Sequence, residues 1–205
     1  MNNMEIRAFN FDVRAQEDEE HGAYLEGTPI VYDSLTDLGG YDEIIDRGAL
    51  QNTDLKDVRF LVNHNTDMIP LARSRNNNEN STMQMSVNDN GMNIRVNLDT
   101  ENNAEAKALY SAVERGDISG MSFMFSVDGD KWENLESEHP TRHILSIGRV
   151  FEVSAVTFPA YEATSIQARG LSGALDSALD SLESARAELR KIELQKQKIK
   201  ILSEV

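Results

Sequence analysis

Two runs of alternating residues constrain this chain more than any other feature. Met83, Met85 and Val87 alternate with polar neighbours, and so do Met92, Ile94, Val96 and Leu98, with Asn88-Asp89-Asn90-Gly91 between them. A period of two sends alternate side chains to opposite faces of a strand. Asn and Gly accept the positive φ of a tight turn. The segment is therefore a hairpin with one apolar face, and that face needs a partner layer. Further strands are expected around Ile6, Ala8, Phe9, Phe11 and Val13, and from Tyr24 to Tyr32 with a turn or bulge at Gly27-Thr28-Pro29. Others run from Val58 to Val62 and from Ile118 to Val127, and two lie around Ile144 to Phe158. Asn76 to Asn80 and the stretch through His139-Pro140 read as polar loops. One interior helix interrupts the series. Asn102 to Arg115 carries Ala104, Ala108, Leu109, Ala112 and Val113 on one stripe, with Asn102 or Asn103 to cap it and Gly116 to end it. Many strands and one interior helix predict an α+β domain, a small barrel or sandwich decorated by helices.

Hydrophobic residues make up 40% of the 205, enough for a core, but only 6% of the chain is aromatic, so that core leans on aliphatic side chains and Met. The net charge of −15 repels phosphate backbones and argues against a nucleic-acid partner. The chain has no cysteine, which excludes disulfides, thiolate metal sites and a cysteine nucleophile. The first residues lack the basic start and apolar run of a signal peptide, and no stretch approaches the roughly 18 apolar residues of a membrane span. No membrane partner is expected.

Composition changes near Gly170 and Gly173. Beyond residue 170 there is neither an aromatic nor a proline, and six acidic residues balance six basic ones, so the net charge resides in 1–170. The division expected is a folded domain over 1–170 and an amphipathic helix over 171–205. Leu175, Ala178, Leu182, Ala185, Leu189, Ile192 and Ile199 keep a spacing of three or four interrupted only by Lys196, which fits a coiled coil, and the helix ends in a basic stretch. It is either a solvated helix or a handle for docking and self-association.

With no cysteine, a general base near neutral pH must come chiefly from His21, His64, His139 and His143. His64 follows the apolar run Phe60-Leu61-Val62, where a rigid strand delivers a side chain to a cleft. Ser122 lies in Gly120-Met121-Ser122-Phe123-Met124-Phe125. Alternation puts Ser119, Met121, Phe123, Phe125 and Val127 on the core face, and Ser122 with Gly120 and Met124 on the other, open to a groove. A half-exposed structural serine fits the same pattern. Glu152 opens an apolar strand and needs a partner there, either a histidine to orient or an arginine such as Arg149. His139 and His143 have helical metal-ligand spacing, but Pro140 between them argues against a helix, and no metal is expected.

Taken in order, three segments are similar to one family. They are Leu61-Val62-Asn63-His64, then Arg115 through Phe123, then Phe151-Glu152-Val153-Ser154-Ala155-Val156-Thr157-Phe158-Pro159-Ala160-Tyr161. Gly27 to Tyr32 and Glu43 to Leu50 add to the likeness, which spans residues 4–165. The family is that of the prohead maturation proteases of tailed phages, related to herpesvirus assemblin. The resemblance implies a mainly antiparallel β-barrel flanked by helices, and peptide hydrolysis through an acyl-enzyme without a cofactor. It implies Ser122 as nucleophile, His64 as base and Glu152 as third member. Herpesvirus relatives use a second histidine there, which keeps His139 and His143 as alternatives. Oxyanion donors are expected from backbone N–H groups, with Arg73 as a side-chain helper. The implied substrates are scaffolding protein, major capsid protein and the protease itself, inside the procapsid in the host cytoplasm. Met124, and Ala72 in Pro70-Leu71-Ala72, stand where family members often have glycine. A catalytically silent assembly module on the same fold is the rival reading.

Overall fold

The computed structural model describes residues 4–9, 13–19, 22–158 and 172–203. Along the chain run β1 (Met4–Phe9), β2 (Arg14–Asp18), β3 (Gly22–Val31), β4 (Thr36–Asp37), β5 (Asp42–Ile45), β6 (Asp57–Val62), β7 (Ala72–Arg75), β8 (Met83–Asn88), β9 (Gly91–Asn97), α1 (Ala104–Glu114), β10 (Gly120–Glu133), β11 (Thr141–Val156) and α2 (Ser172–Ser203).

The predicted hairpin is β8–β9, paired antiparallel with Asn88 opposite Gly91. Gly91 has φ +141°, and a Cβ there would lie 1.9 Å from the carbonyl oxygen of Ile30. Only glycine lets β9 lie this close to β3. The bulge expected at Gly27-Thr28-Pro29 appears as a register shift between Gly27 and Ile30. In α1, the Asn103 side chain accepts from the backbone N–H groups of Glu105 and Ala106, satisfying donors that the helix itself cannot pair. Its buried stripe is Ala106, Leu109 and Val113; of the residues expected there, Ala104 and Ala108 are exposed and Ala112 is half-buried, because the face turned to the core passes through Ala106. Gly116 ends the helix at φ +78°.

The strands form two sheets. One has seven strands in the order β1-β10-β11-β5-β4, with β6 joining β11 and β7 joining β6; the other has four, β2-β3-β9-β8. The expected barrel is not present. Closure needs the two edges of one sheet to pair, and among the described residues β1 and β4 remain edges and no ladder joins the sheets. The pairing is not purely antiparallel either, because β11 runs parallel to both β5 and β6. The two sheets and α1 instead share one core. Leu25, Met92 and Val96 of the smaller sheet meet Phe60, Phe123 and Val153 of the larger and Leu109 of the helix. The two strands expected around Ile144 to Phe158 are one 16-residue strand, β11. Several register shifts between it and its partner β10 let the pairing continue as one ladder.

The larger sheet is tied by charges inside the protein. Arg7 of β1 donates to Glu5 and to both oxygens of Glu43 of β5. Arg142 of β11 donates to Glu5, Glu43 and Asp130. Glu5, Arg7, Glu43 and Arg142 are all buried. Helix α2 starts against this region. Ala178 and Leu182 pack with Tyr41 and Trp132 in a second small cluster. The Trp132 Nε1–H donates to Ser181 Oγ at 3.1 Å, and that hydroxyl donates to Asp130 at 2.9 Å. Further along, Ile192, Leu194, Ile199, Ile201 and Leu202 are exposed. The Leu175 side chain, Phe11, His21, Gly170 and Pro159-Ala160-Tyr161 lie outside the described residues. No helix among the described residues is long and apolar enough to cross a membrane.

Candidate active site

His64 stands just past the end of β6, held by a short turn of unusual backbone. Asn63 and His64 both have positive φ, 52° and 56°, a region that costs most residues about 1 kcal/mol or more. Three sets of hydrogen bonds hold it. Asn63 N–H donates to the carbonyl of Ala155, extending the β6–β11 ladder. The Asn63 side chain clamps Thr157, accepting from its N–H and donating to its Oγ1, each at 3.0 Å. His64 N–H donates to Ser154 Oγ at 3.1 Å.

Glu152, five residues before Thr157 on β11, meets the imidazole. His64 Nδ1 lies 2.5 Å from Glu152 Oε1. A carboxylate can only accept, so Nδ1 carries a proton, and in the neutral imidazole the lone pair is then on Nε2. Nε2 is buried and has no hydrogen-bond partner among the described residues. The second carboxylate oxygen of Glu152 accepts from Ser154 Oγ at 2.6 Å. Glu152 is 3% exposed. The arginine alternative is not realised, since Arg149 lies nearer Asp54.

Ser122 pairs directly with Ser154 across β10 and β11, and with Ala8 across β1 and β10. Residues opposite one another in an antiparallel pair share a face. Ser122, Ser154 and Glu152 therefore lie on the same face, one strand apart, with Met121, Phe123, Val153 and Ala155 on the other. The expectation that Ser122 opens to a groove is corrected. It is fully buried, and its Oγ donates to the Arg7 carbonyl at 2.8 Å rather than to His64. The cause is β1, which pairs along the free edge of β10 and encloses the serine. Ser119 does not reach the core face. It lies exposed in the loop before β10.

The two histidines kept as alternatives, His139 and His143, stand elsewhere. His143 lies nine residues before Glu152 on β11, about 30 Å away at the rise of a strand, and bonds Asp46. His139 lies beyond the start of that strand, near Asp42 and Asp37 in an exposed cluster. Arg73, considered for the oxyanion, makes a two-pronged ion pair with Asp57. Its hydrogen bonds hold the Asp57 carboxyl below the usual carboxylate range. A cleft of about 680 Å³ opens on the smaller sheet beside Thr28, Asn93 and Arg95, and none of His64, Ser122 or Glu152 lines it. Sequence reasoning missed Ser154 and Asn63. Asn63 carried a signal in its tolerance of positive φ directly after a strand. Ser154, one of many serines on strands, carried none.

An imidazole paired with a buried carboxylate, and a serine on the strand next to that carboxylate, are residue types that a nucleophilic hydrolase uses. The chain belongs to the caudovirus prohead serine protease family, whose model matches residues 9–176. It is thus a member of a family of serine proteases of phage capsid maturation. The chain is also similar to the bacteriophage T4 capsid assembly protease gp21, at 13% identity and a TM-score of 0.40, over 76% of this chain and 99% of that one. No curated protein matches the chain.

Proposed function

We propose that the chain is a serine endopeptidase in which Ser122 is the nucleophile, His64 the general base and Glu152 the group that orients it. The carrying observation is the His64–Glu152 bond, which in the neutral imidazole puts the lone pair on Nε2, an atom without a partner among the described residues. In the reactive arrangement Ser122 turns about its Cα–Cβ bond, exchanging the Arg7 carbonyl for Nε2. Nε2 takes the hydroxyl proton as Oγ bonds to the scissile carbonyl carbon. Glu152 stabilises the imidazolium that results. The tetrahedral intermediate collapses, the peptide C–N bond breaks, and His64 passes its proton to the leaving amine. Water, deprotonated by His64 in turn, then releases the acyl group from Ser122.

The substrates in this reading are scaffolding protein, the major capsid protein and the protease itself, cut inside the procapsid in the host cytoplasm. Residues 1–170 are the protease domain. The exposed distal part of α2, rich in Lys and bearing Ile192, Ile199 and Leu202, is a coiled-coil or self-association segment. The enclosure of Ser122 by β1 keeps a second reading open, a silent assembly module on this fold.

Intact-mass measurement of the cognate scaffold and capsid proteins, incubated with wild type and with Ser122→Ala, separates the two. Fragments from wild type alone support the protease. Fragments from both refute Ser122 as nucleophile. No fragments, together with no labelling of wild type by a fluorophosphonate, support the assembly module.

A further inference from the structure

Ser154 does two things with one hydroxyl. Its proton goes to Glu152 Oε2 at 2.6 Å, and its oxygen accepts the His64 backbone N–H at 3.1 Å. A serine hydroxyl has one proton to give, so both bonds coexist only in this arrangement. The residue is 0% exposed, on a strand held on both sides, by β10 at Ser122 and by β6 at Leu61. It therefore has little freedom to turn elsewhere.

We infer that Ser154 is the positioning residue of the site: it fixes the carboxylate that orients His64 and, independently, the strained backbone that presents it. This rests on the reading of His64 and Glu152 given above. Among the described residues Glu152 has no arginine to hold it, since Arg149 lies against Asp54 instead. Its two oxygens have one donor each, the imidazole and Ser154. With the Ser154 hydroxyl removed, Oε2 is a buried acceptor without a donor, and the carboxylate is free to rotate away from Nδ1. The backbone N–H of His64, at φ 56°, loses its acceptor as well. The imidazole then spends less of its time with Nε2 turned to the nucleophile. Ser154 touches no reacting atom, so the loss appears in the chemical step and not in binding.

The test reads phosphonylation of Ser122 by a fluorophosphonate, in which Oγ bonds to phosphorus and fluoride leaves, using full-length chains compared by urea unfolding. Ser154→Ala is expected to lower the maximal labelling rate by on the order of 10- to 100-fold, a part of what a positioned base contributes, with half-saturation by the probe unchanged. Ser154→Thr, which keeps the hydroxyl, is expected to recover most of the rate. Ser154→Ala is expected to add little to Glu152→Gln, because both act through the same imidazole. Ser154→Ala at the wild-type rate, or an effect that multiplies fully with Glu152→Gln, overturns the inference while the parent reading stands. Glu152→Gln at the wild-type rate, or a wild-type chain that does not react, removes the parent reading and this inference with it.

Discussion

Replacing Glu43 with Gln should be among the more damaging single changes outside the site. Glu43 is 2% exposed. It accepts from Arg7 Nε, from Arg7 Nη2 at 2.7 Å and from Arg142 Nη1 at 3.1 Å. Burial works against the charge of Arg7, yet the pull of Glu43, with smaller help from Glu5, holds that guanidinium above its ordinary range. Arg142 is held up in the same way, chiefly by Glu5. Removing one partner of a buried ion pair costs about 3–5 kcal/mol, because the remaining charge stays buried. Gln keeps the shape and one acceptor, which places the change near 3 kcal/mol. For a chain of this size that is a fall in Tm of roughly 6–12 °C, and a large part of the 5–15 kcal/mol that holds a typical domain together. The chain has a single tryptophan, and it is Trp132, buried against Tyr41 at a ring distance of 5.2 Å. Its fluorescence therefore follows urea unfolding at this spot. A lowered midpoint with an unchanged slope is expected. Asp117→Asn, in the exposed Arg115–Asp117 pair, is the control and should leave the midpoint in place. If the two variants unfold alike, the buried network does not hold β1, β5 and β11 together, and the reasoning fails.

Two further outcomes follow from the fold. Gly91→Ala forces a Cβ to within 1.9 Å of the Ile30 carbonyl at φ +141°, so a loss above about 3 kcal/mol is expected by thermal or urea unfolding, and a loss under about 1 kcal/mol would mean that β9 and β3 separate freely. The Tyr41 hydroxyl is pushed up to about 12, first by burial and against the pull of Arg7. Above about pH 10 the unfolded chain gives up this proton and the folded chain keeps it, so stability present below pH 10 falls by roughly 2–3 kcal/mol as the pH approaches 12. Urea unfolding of wild type and Tyr41→Phe between pH 9 and 12 checks this, and equal slopes with pH would count against it.

What was legible from the residues alone was what they decide with near neighbours. The β8–β9 hairpin follows from alternation and from Gly91. Helix α1 and its Asn103 cap follow from local spacing and a hydrogen bond two or three residues long, although the face it buries includes Ala106 and not Ala104 or Ala108. The bulge at Gly27 follows from turn chemistry within one strand. The short or polar strands β2, β4, β5 and β7 carry no such local signal, since pairing partners and not their own side chains make them strands. The sharing of one core by two open sheets is equally a matter of long-range pairing. Ser122, His64 and Glu152 were readable as candidates because residue type limits which groups can be a nucleophile or a base. That the carboxylate meets the imidazole across 88 residues is decided by the parallel pairing of β6 with β11. That Ser122 lies enclosed against the Arg7 carbonyl is decided by β1 along the edge of β10. The chain by itself determined which groups were available. Only the tertiary structure decided their neighbours, because strand register, which sets every contact at the site, depends on how the whole sheet buries its apolar face.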